Sequence, residues 1–212
     1  TLLRTPAYEL FSKKLYSAFH QELLEYGREV LGCYDITPPW LSCYVEGCSQ
    51  QLHADIPHGP WAFVYSLTPW KTRKFSGGET FLLKPETLNY WAHFSSLKGA
   101  EKIHLVSQVE PLFNRLTVFD PRLPHGVNEV RGARDVRDGR LVIHGWFKDP
   151  EPYVKGPLSR SAAAAGLNEI LDRTFKSSTL SENCHGTLSY KLSVSATGKV
   201  TKIQRMTSTL LS

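Results

Sequence analysis

The chain has 212 residues, of which 41% are apolar and 21% charged, and its formal net charge is +5. This composition is ordinary for a globular domain with a large core, and it excludes disordered and collagen-like classes. No apolar run approaches the length of a spanning helix, so no membrane partner is predicted. The positive charge gives a mild preference for acidic partners, but nucleic-acid binding is not predicted because no continuous basic face with stacking aromatic residues is found.

The chain opens with a predicted helix. Apolar side chains between residues 7 and 31 recur at three- and four-residue steps, which predicts one amphipathic helix, and Gly32 suits its end. The first residues lack the basic-then-apolar pattern of a signal peptide. Because the chain begins at Thr1 rather than at methionine, we expect a fragment or a processed product.

The cysteines indicate a reducing compartment. They show no paired Cys-x-x-Cys spacing, so neither a zinc site nor a dense disulfide framework is predicted. One bridge, between Cys43 and Cys48, is geometrically conceivable, and Cys33 and Cys184 are the other two cysteines. A cytoplasmic location fits this pattern best.

The segment Gln51–Asp55 carries the most informative pattern. Side chains alternate across a strand, so His53 and Asp55 emerge on one face. A histidine from another strand, for which His125 is the candidate, would place two nitrogens and one oxygen on one side of a metal. On its own, however, His-x-Asp occurs by chance, and a lone strand histidine is more often a structural residue.

Short apolar strands separated by glycine and proline turns fill the middle of the chain. They are predicted at residues 40–45, 61–67, 79–83, 115–120 and 140–147. The second and third of these are joined by a loop that closes with Gly77 and Gly78, which predicts a hairpin, whereas residues 85–102 are predicted to be a loop. Many short strands after a helix favour a closed or sandwiched β-structure.

The last of these strands begins at Arg140. By alternation Arg140, Val142, His144 and Trp146 share one face. Inward-facing residues of a barrel share one pocket. One constellation can therefore contain Tyr44, His53, Asp55, His125 and Arg140.

The end of the chain has a different pattern. Residues 158–175 are predicted to form a helix and residues 186–209 a hairpin that turns at Ala196-Thr197-Gly198. An isolated hairpin is marginal in water and must pack on something. We therefore expect a main domain over residues 1–155 and an extension over 156–212. The hairpin resembles the carboxy-terminal domains of bacterial energy-transducer-like proteins, which implies a truncated interaction module; the alternative is a local extension that covers a barrel edge.

An ordered set of motifs between residues 40 and 150 points to one family. The set comprises Tyr44, His53-Ala54-Asp55, Gly77-Gly78-Glu79-Thr80, Arg115 to Phe119, Pro124-His125-Gly126-Val127, and Arg140 with Gly145-Trp146-Phe147. In order and approximate spacing it resembles the prolyl-hydroxylase-like iron(II)/2-oxoglutarate dioxygenases. The resemblance implies a mainly β fold with flanking helices, namely a double-stranded β-helix, which is a jelly-roll or cupin-like barrel.

The resemblance also implies roles for the polar residues. His53, Asp55 and His125 would be the iron ligands and therefore the catalytic residues. Arg140 would pair with the distal carboxylate of 2-oxoglutarate, for which a planar guanidinium offers two parallel donors. A carboxylate at Asp55 argues against a halogenase, in which a halide takes that position.

Two further residues are expected near the cosubstrate. Tyr44 matches a position at which the phenol contacts 2-oxoglutarate, although a barrel tyrosine is equally often plain core. His144 faces inward on the strand of Arg140 and would lie beside the cosubstrate without being a ligand. Ser66 departs from the family pattern, because many relatives have a tyrosine there.

The activity implied by the resemblance is hydroxylation of a C–H bond with decarboxylation of 2-oxoglutarate to succinate, with Fe(II) as cofactor and ascorbate as reductant. The first choice of substrate is a prolyl residue in a peptide or protein, because the basic loops 71–74 and 131–140 would flank the pocket mouth. A free amino acid or small metabolite is the alternative substrate. The alternative function is a non-catalytic jelly-roll binding or sensor module, and the sequence does not predict an oligomeric state.

Overall fold

The computed structural model describes residues 2–56, 58–93, 95, 97, 99, 105–148, 153–177 and 185–210. The chain forms two compact units. Unit 1 comprises Thr1–Tyr16 and Thr37–Trp146, and unit 2 comprises Ser17–Ile36 and Phe147–Ser212. No helix within these described ranges is both long and apolar enough to cross a membrane.

Strands dominate the structure. They are β1 (Leu3–Pro6), β2 (Trp40–Tyr44), β3 (Gln50–His53), β4 (Trp61–Ser66), β5 (Thr80–Leu83), β6 (Val106–Val109), β7 (Leu116–Phe119), β8 (His125–Val127), β9 (Arg140–Phe147), β10 (Leu188–Val194) and β11 (Val200–Ser208). The α-helices are α1 (Ala7–Leu10), α2 (Lys13–Tyr26), α3 (Glu86–Ala92) and α4 (Arg160–Ser177). Short helical turns of other types lie at Gly27–Leu31, Trp70–Thr72 and Val136–Asp138.

Two sheets build the barrel. One has five strands in the order β1-β2-β9-β4-β7, and the other has four in the order β3-β8-β5-β6. Apolar side chains from both sheets meet in one buried cluster, in which Tyr44 and Val142 come from the first sheet and Val127 from the second. The predicted mainly β, jelly-roll fold, a double-stranded β-helix with flanking helices, is confirmed.

The prediction of one continuous helix over residues 7–31 is wrong, because the structure has two separate helices there. Phe11 is extended between α1 and α2, and the Ser12 hydroxyl accepts a hydrogen bond from the Leu15 backbone N–H at 3.3 Å. A serine that bonds the backbone three residues on starts a new helix, which apolar periodicity alone does not reveal. The predicted end is confirmed, because Gly32 caps the last turn in the left-handed conformation, with φ +77°.

The predicted hairpin of residues 61–67 and 79–83 is also wrong. Strand β4 pairs with β7 in the five-stranded sheet, whereas β5 pairs with β6 and β8 in the other. A glycine-closed loop indicates a reversal of the chain, but not which strands then pair. Residues 85–102, predicted as a loop, contain α3. The Cys43–Cys48 bridge is not formed, because both thiols are free; Cys184 lies outside the described residues.

Two glycines in the barrel turns distinguish the effect of steric overlap from the effect of a left-handed backbone conformation. Gly77 and Gly47 have nearly the same backbone angle, φ +74° and +75°, but a methyl group at Gly77 would overlap the carbonyl oxygen of Glu129, whereas one at Gly47 meets no atom within 4 Å. We expect Gly47→Ala to lower the free energy of unfolding by about 1 kcal/mol and Gly77→Ala by roughly 3 kcal/mol. Urea titration of both variants checks this; equal losses would contradict the steric contribution.

The hairpin and helix predicted for the end of the chain are confirmed in unit 2, as β10 with β11 and as α4. The hairpin turns where the Ser195 N–H donates to the carbonyl oxygen of Lys199 at 2.9 Å, and Gly198 has φ +80°. Within the described residues this sheet contains only its two strands. It therefore requires packing from elsewhere in the unit.

That packing comes from the helical turn Gly27–Leu31. The Thr207 hydroxyl donates to the carbonyl oxygen of Leu31 at 2.9 Å, and the Lys191 ammonium lies 2.8 Å from a carboxylate oxygen of Glu29. Together these bonds join both strands of the hairpin to one turn. The domain boundary between residues 155 and 156 stays a prediction.

Candidate active site

Two adjacent strands bring the predicted metal ligands together. In the antiparallel pair β3–β8, His53 lies directly opposite His125, and their ring centroids are 4.5 Å apart. Asp55 follows the end of β3, where its backbone N–H donates to the carbonyl oxygen of Pro121 at 3.0 Å. That bond directs the chain back towards the residues preceding β8, so the carboxylate stays beside both imidazoles.

The three side chains converge on one point. Asp55 Oδ1 is 3.6 Å from His53 Nε2, and Asp55 Oδ2 is 3.4 Å from His125 Nε2. The ligand atoms of the trio all lie within 4.8 Å of one another. Two imidazole nitrogens and one carboxylate oxygen on one side of a site are the donor set of non-haem Fe(II) oxygenases. The residues therefore fit iron.

Backbone carbonyl groups fix the orientation of both imidazoles. His53 Nδ1 lies 2.7 Å from the carbonyl oxygen of Gln51, and His125 Nδ1 lies 2.8 Å from that of Leu123. A carbonyl oxygen only accepts, so each Nδ1 carries a hydrogen and each Nε2 faces the centre. Both Nε2 atoms are thus directed towards the Asp55 carboxylate, where a metal can be held.

Asp55 is suited to hold a cation. Burial tends to raise the pKa of its carboxyl, but the hydrogen bond with His125 and the charges of His125, His53 and His58 outweigh burial, and the net pKa lies below the ordinary value. The carboxyl is therefore ionised at neutral pH. It supplies the negative charge of the trio.

Arg140, the first residue of β9, is a buried cation without an acidic partner among the described residues. Its side chain is 1% exposed, its Nη2 donates to the Thr80 hydroxyl at 3.1 Å, and its Nε has no hydrogen-bond partner in the described structure. Burial also lowers the pKa of the guanidinium, because a charge enclosed by protein is poorly solvated. A buried charge of this kind is costly unless an anion joins it. The residues fit a carboxylate ligand.

Tyr44 lies against this arginine. The guanidinium carbon of Arg140 is 4.7 Å from the centre of the Tyr44 ring, and the phenol donates to Gln50 Oε1 at 2.9 Å. Burial is the main cause of the raised pKa of Tyr44, so the phenol keeps its proton at neutral pH. The ring supports the guanidinium, while contact of the phenol with a cosubstrate stays a prediction.

His144 lines the same pocket but stands apart from the metal trio. Its Nε2 lies 2.9 Å from the Ser42 hydroxyl, which also accepts a hydrogen bond from Arg4 Nε at 3.2 Å. The Ser42 hydroxyl thus links Arg4 to His144. Burial, reinforced by Arg4 and Arg140, lowers the pKa of His144 from 6.5 to about 4. The imidazole is neutral at physiological pH.

This lowered pKa predicts a pH effect on stability. Unfolded His144 binds a proton below about pH 6.5 but folded His144 only below about pH 4, so the unfolded state binds more protons between those values. The free energy of unfolding should therefore fall by up to about 3 kcal/mol as the pH drops through this window. Urea unfolding of the wild type and His144→Gln at roughly pH 7.5, above the window, and at roughly pH 4.5, near its lower end, measures most of this loss. An unchanged pH dependence in the variant would contradict the assignment.

Sequence reasoning missed several residues of the pocket. Arg4, Gln50, Thr80 and Phe119 line it together with the predicted residues, and so does Trp146, whose ring stacks on His58 at 4.4 Å. No sequence pattern indicated Arg4 as a pocket residue, because β1 was not predicted as a strand. Thr80 was seen only as part of a motif. Ser66, by contrast, donates to the carbonyl oxygen of Pro111 at 2.5 Å and is not among the lining residues.

The basic loops expected at the pocket mouth are occupied by local ion pairs. Lys74 lies 3.1 Å from Asp138, Arg131 2.9 Å from Glu129, and Arg137 2.6 Å from Asp135. Of the described residues in loops 71–74 and 131–140, only Arg140 lines the pocket. Lys74, Arg131 and Arg137 are therefore already paired with local carboxylates, and none of the three lines the pocket.

Comparisons with known proteins agree with this site. The family model described as the 2OG-Fe(II) oxygenase superfamily matches residues 39–148, just over half of the chain. No curated protein matches the sequence significantly. Solved structures do match, and three of them are similar to this chain at low sequence identity.

A prolyl-4-hydroxylase from Pseudomonas putida is 20% identical, with 70% of this chain and 71% of that chain covered and a TM-score of 0.45. A prolyl hydroxylase from Trichoplax adhaerens, in complex with a hypoxia inducible factor oxygen degradation domain peptide fragment, is 23% identical, with 70% and 62% covered and a TM-score of 0.45. A 2OG-Fe(II) oxygenase family protein from Burkholderia pseudomallei is 16% identical, with 56% and 48% covered and a TM-score of 0.36. The chain thus spans only part of the length of each.

Proposed function

The chain belongs to the 2OG-Fe(II) oxygenase superfamily, and from that premise we propose that it hydroxylates a prolyl residue in a peptide or protein, with decarboxylation of 2-oxoglutarate to succinate. As a member of this family the protein is a dioxygenase, and the family implies Fe(II) and 2-oxoglutarate. The observation that carries the proposal is the convergence of two imidazole nitrogens and one carboxylate in one pocket with a buried arginine that has no ion pair among the described residues. Neither the three metal-binding side chains nor the buried arginine would specify this chemistry alone.

In this proposal His53, Asp55 and His125 hold the iron, which when bound supplies the activation of O₂ for C–H oxidation. Their own contribution is to place three donors on one side and leave the other side open. The carbonyl groups of Gln51 and Leu123 keep both Nε2 atoms aimed at the metal position. Asp55 remains an anion, so it reduces the positive charge of the site.

Arg140 binds the distal carboxylate of 2-oxoglutarate in the proposed complex. Its unpartnered Nε and its Nη2 are available as donors, and a pair of N–H groups matches the two oxygens of a carboxylate. The Thr80 hydroxyl accepts from Nη2 and so keeps its own hydrogen free for the same carboxylate. Tyr44 prevents the guanidinium from turning away, and Val64, Phe119 and Val142 limit the entry of water.

The proposal of a prolyl substrate is based on the motif set and on the aromatic surface of the pocket wall. Trp146 and His58 stack at 4.4 Å with their planes 30° apart, and Trp146 lines the pocket. A flat aromatic surface suits the saturated ring of proline. A free amino acid or another small metabolite would need fewer contacts outside the pocket, and it is the alternative substrate.

The test is succinate formation by the protein purified without oxygen and supplied with Fe(II), 2-oxoglutarate, ascorbate as reductant, and a panel of proline-containing peptides. We expect one peptide to stimulate succinate release and to gain one oxygen atom on proline, as read by tandem mass spectrometry. His53→Ala, which lacks one of the proposed iron ligands, is the control and should release no succinate. Binding of iron and 2-oxoglutarate without any succinate would instead favour the non-catalytic sensor module.

We also propose that residues 1–155 form the dioxygenase domain and that residues 156–212 are an appended interaction module. The support is the change in element type, because α4 and the β10–β11 hairpin follow the last barrel strand. Limited proteolysis followed by an activity assay of the fragments tests the boundary.

A further inference from the structure

A second arginine lines the pocket, and the proposed function does not use it. Arg4 lies opposite Ser42 in the β1–β2 pair, and Ser42 lies opposite Val142 in the β2–β9 pair. Directly opposed residues in adjacent strands point to the same face of a sheet, so Arg4 shares the inner face with Val142. Ser42 is small and fully buried, which leaves room for the longer arginine side chain to reach the pocket.

The guanidinium of Arg4 is oriented but not neutralised. Its Nε donates to the Ser42 hydroxyl at 3.2 Å, and Ser42 in turn lies 2.9 Å from His144 Nε2. No carboxylate lies within ion-pair distance of Arg4 among the described residues. The two terminal nitrogens, which form the outer part of the donor fork, therefore remain available to an anion.

Several other cations of the barrel have a local carboxylate. Lys74, Arg131 and Arg137 each contact one within 3.1 Å, and Arg122 contacts Asp120 at 2.6 Å. Arg4 differs from them in having a hydroxyl partner only. A cation that is held in a pocket by a neutral group is placed to meet an anion from outside the protein.

Arg4 is the accessible arginine of the pocket. Apart from histidines, the charged side chains among its described lining residues are Arg4, Arg140 and Asp55. Asp55 is assigned to the metal, and Arg140, which is buried and within electrostatic reach of Glu79, is assigned to 2-oxoglutarate. Arg4 is exposed to solvent, so it is placed to meet an anion that enters the pocket from outside.

We propose that Arg4 is a specificity residue that binds a carboxylate of the substrate, so that the enzyme selects acidic prolyl substrates. This inference rests on the proposed function. The carboxylate comes either from an acidic side chain next to the proline or from a free carboxyl terminus. Both sources offer two oxygens to the terminal nitrogens of Arg4, and both agree with the net charge of +5.

The experiment measures binding without turnover, on the full chain kept anaerobic with Fe(II) and 2-oxoglutarate. The probes are three fluorescent peptides of equal length with a central or terminal proline: a blocked peptide with glutamate after proline, its glutamine counterpart, and a glutamine peptide that ends in proline with a free carboxylate. Fluorescence anisotropy should show about tenfold tighter binding of at least one carboxylate peptide than of the neutral peptide. Which of the two binds tighter identifies the source of the carboxylate.

Substitutions at Arg4 test whether its side chain causes the preference for carboxylate peptides. Arg4→Gln should remove the tenfold preference and leave the affinity for the neutral peptide unchanged, whereas Arg4→Lys should retain part of the preference. Arg173→Gln, which removes an equal charge from α4 outside the pocket lining, should keep it in full. Equal binding of the three peptides by the wild type, or binding of none at millimolar concentration, overturns the inference.

A parallel titration with 2-oxoglutarate alone distinguishes failure of this inference from failure of the proposed function. Wild type and Arg4→Gln should bind 2-oxoglutarate equally, and Arg140→Ala should not bind it. Weaker 2-oxoglutarate binding by Arg4→Gln would assign Arg4 to the cosubstrate and overturn the inference while the oxygenase stands. No 2-oxoglutarate binding by the wild type would refute the proposed function itself.

Discussion

Replacement of Asp55 by alanine should abolish iron binding and turnover together. The carboxylate is the only anionic member of the trio, and each of its oxygens faces one imidazole, at 3.6 and 3.4 Å. Loss of a supporting residue around a metal site already costs roughly 10- to 100-fold in affinity, so loss of a ligand should cost at least about 100-fold. Isothermal titration with Mn(II), an oxygen-stable substitute for Fe(II), measures the affinity, and succinate release measures turnover.

Two further substitutions make this result specific. Asp138→Asn also removes a carboxylate from an ion pair, that with Lys74, but lies outside the pocket lining, so metal affinity should not change. Asp55→Glu keeps the charge but moves the oxygens by one methylene, and we expect weak binding with little turnover. Retention of wild-type Mn(II) affinity by Asp55→Ala would refute the assignment of Asp55 as a ligand.

Replacement of Arg140 by methionine should have opposite effects on cosubstrate binding and on stability. A charge-assisted carboxylate pair contributes about 3 kcal/mol, so the affinity for 2-oxoglutarate should fall by roughly 100-fold. Without ligand, the variant should be more stable than the wild type, because the substitution replaces a 1% exposed, incompletely bonded cation by an apolar side chain of similar length. This combination is typical of a residue kept for binding rather than for folding.

Thermal unfolding with and without 2-oxoglutarate measures both effects. At a 2-oxoglutarate concentration of about ten times the wild-type Kd, the ligand should raise the unfolding temperature of the wild type and leave that of Arg140→Met nearly unchanged, since a ligand stabilises a protein only in so far as it binds the folded state. Arg140→Lys is the matched control: it keeps the charge but loses the planar pair of donors, so its affinity should lie between the two. An Arg140→Met protein that is still stabilised by 2-oxoglutarate would place the carboxylate elsewhere.

Much of the barrel and of its site could be predicted from local patterns. The alternation of side chains placed His53 and Asp55 on one face, and the last barrel strand was predicted with the bounds of β9, Arg140–Phe147. The hairpin at the end of the chain was predicted from its alternating residues and its glycine turn. Each of these features depends on residues close together in sequence, and a periodic pattern reports such neighbours directly.

The sequence by itself therefore determined the type of most elements, the order of the motifs and the identity of the metal-binding candidates. Only the tertiary structure decided that β4 and β5 belong to different sheets, that Arg4 shares a pocket with Arg140, and that some cations of the basic loops, such as Arg137, are paired with carboxylates. The physical reason is that strand pairing, burial and ion pairing join residues far apart in the chain. A periodic sequence pattern does not indicate which distant residue buries a side chain or pairs with its charge.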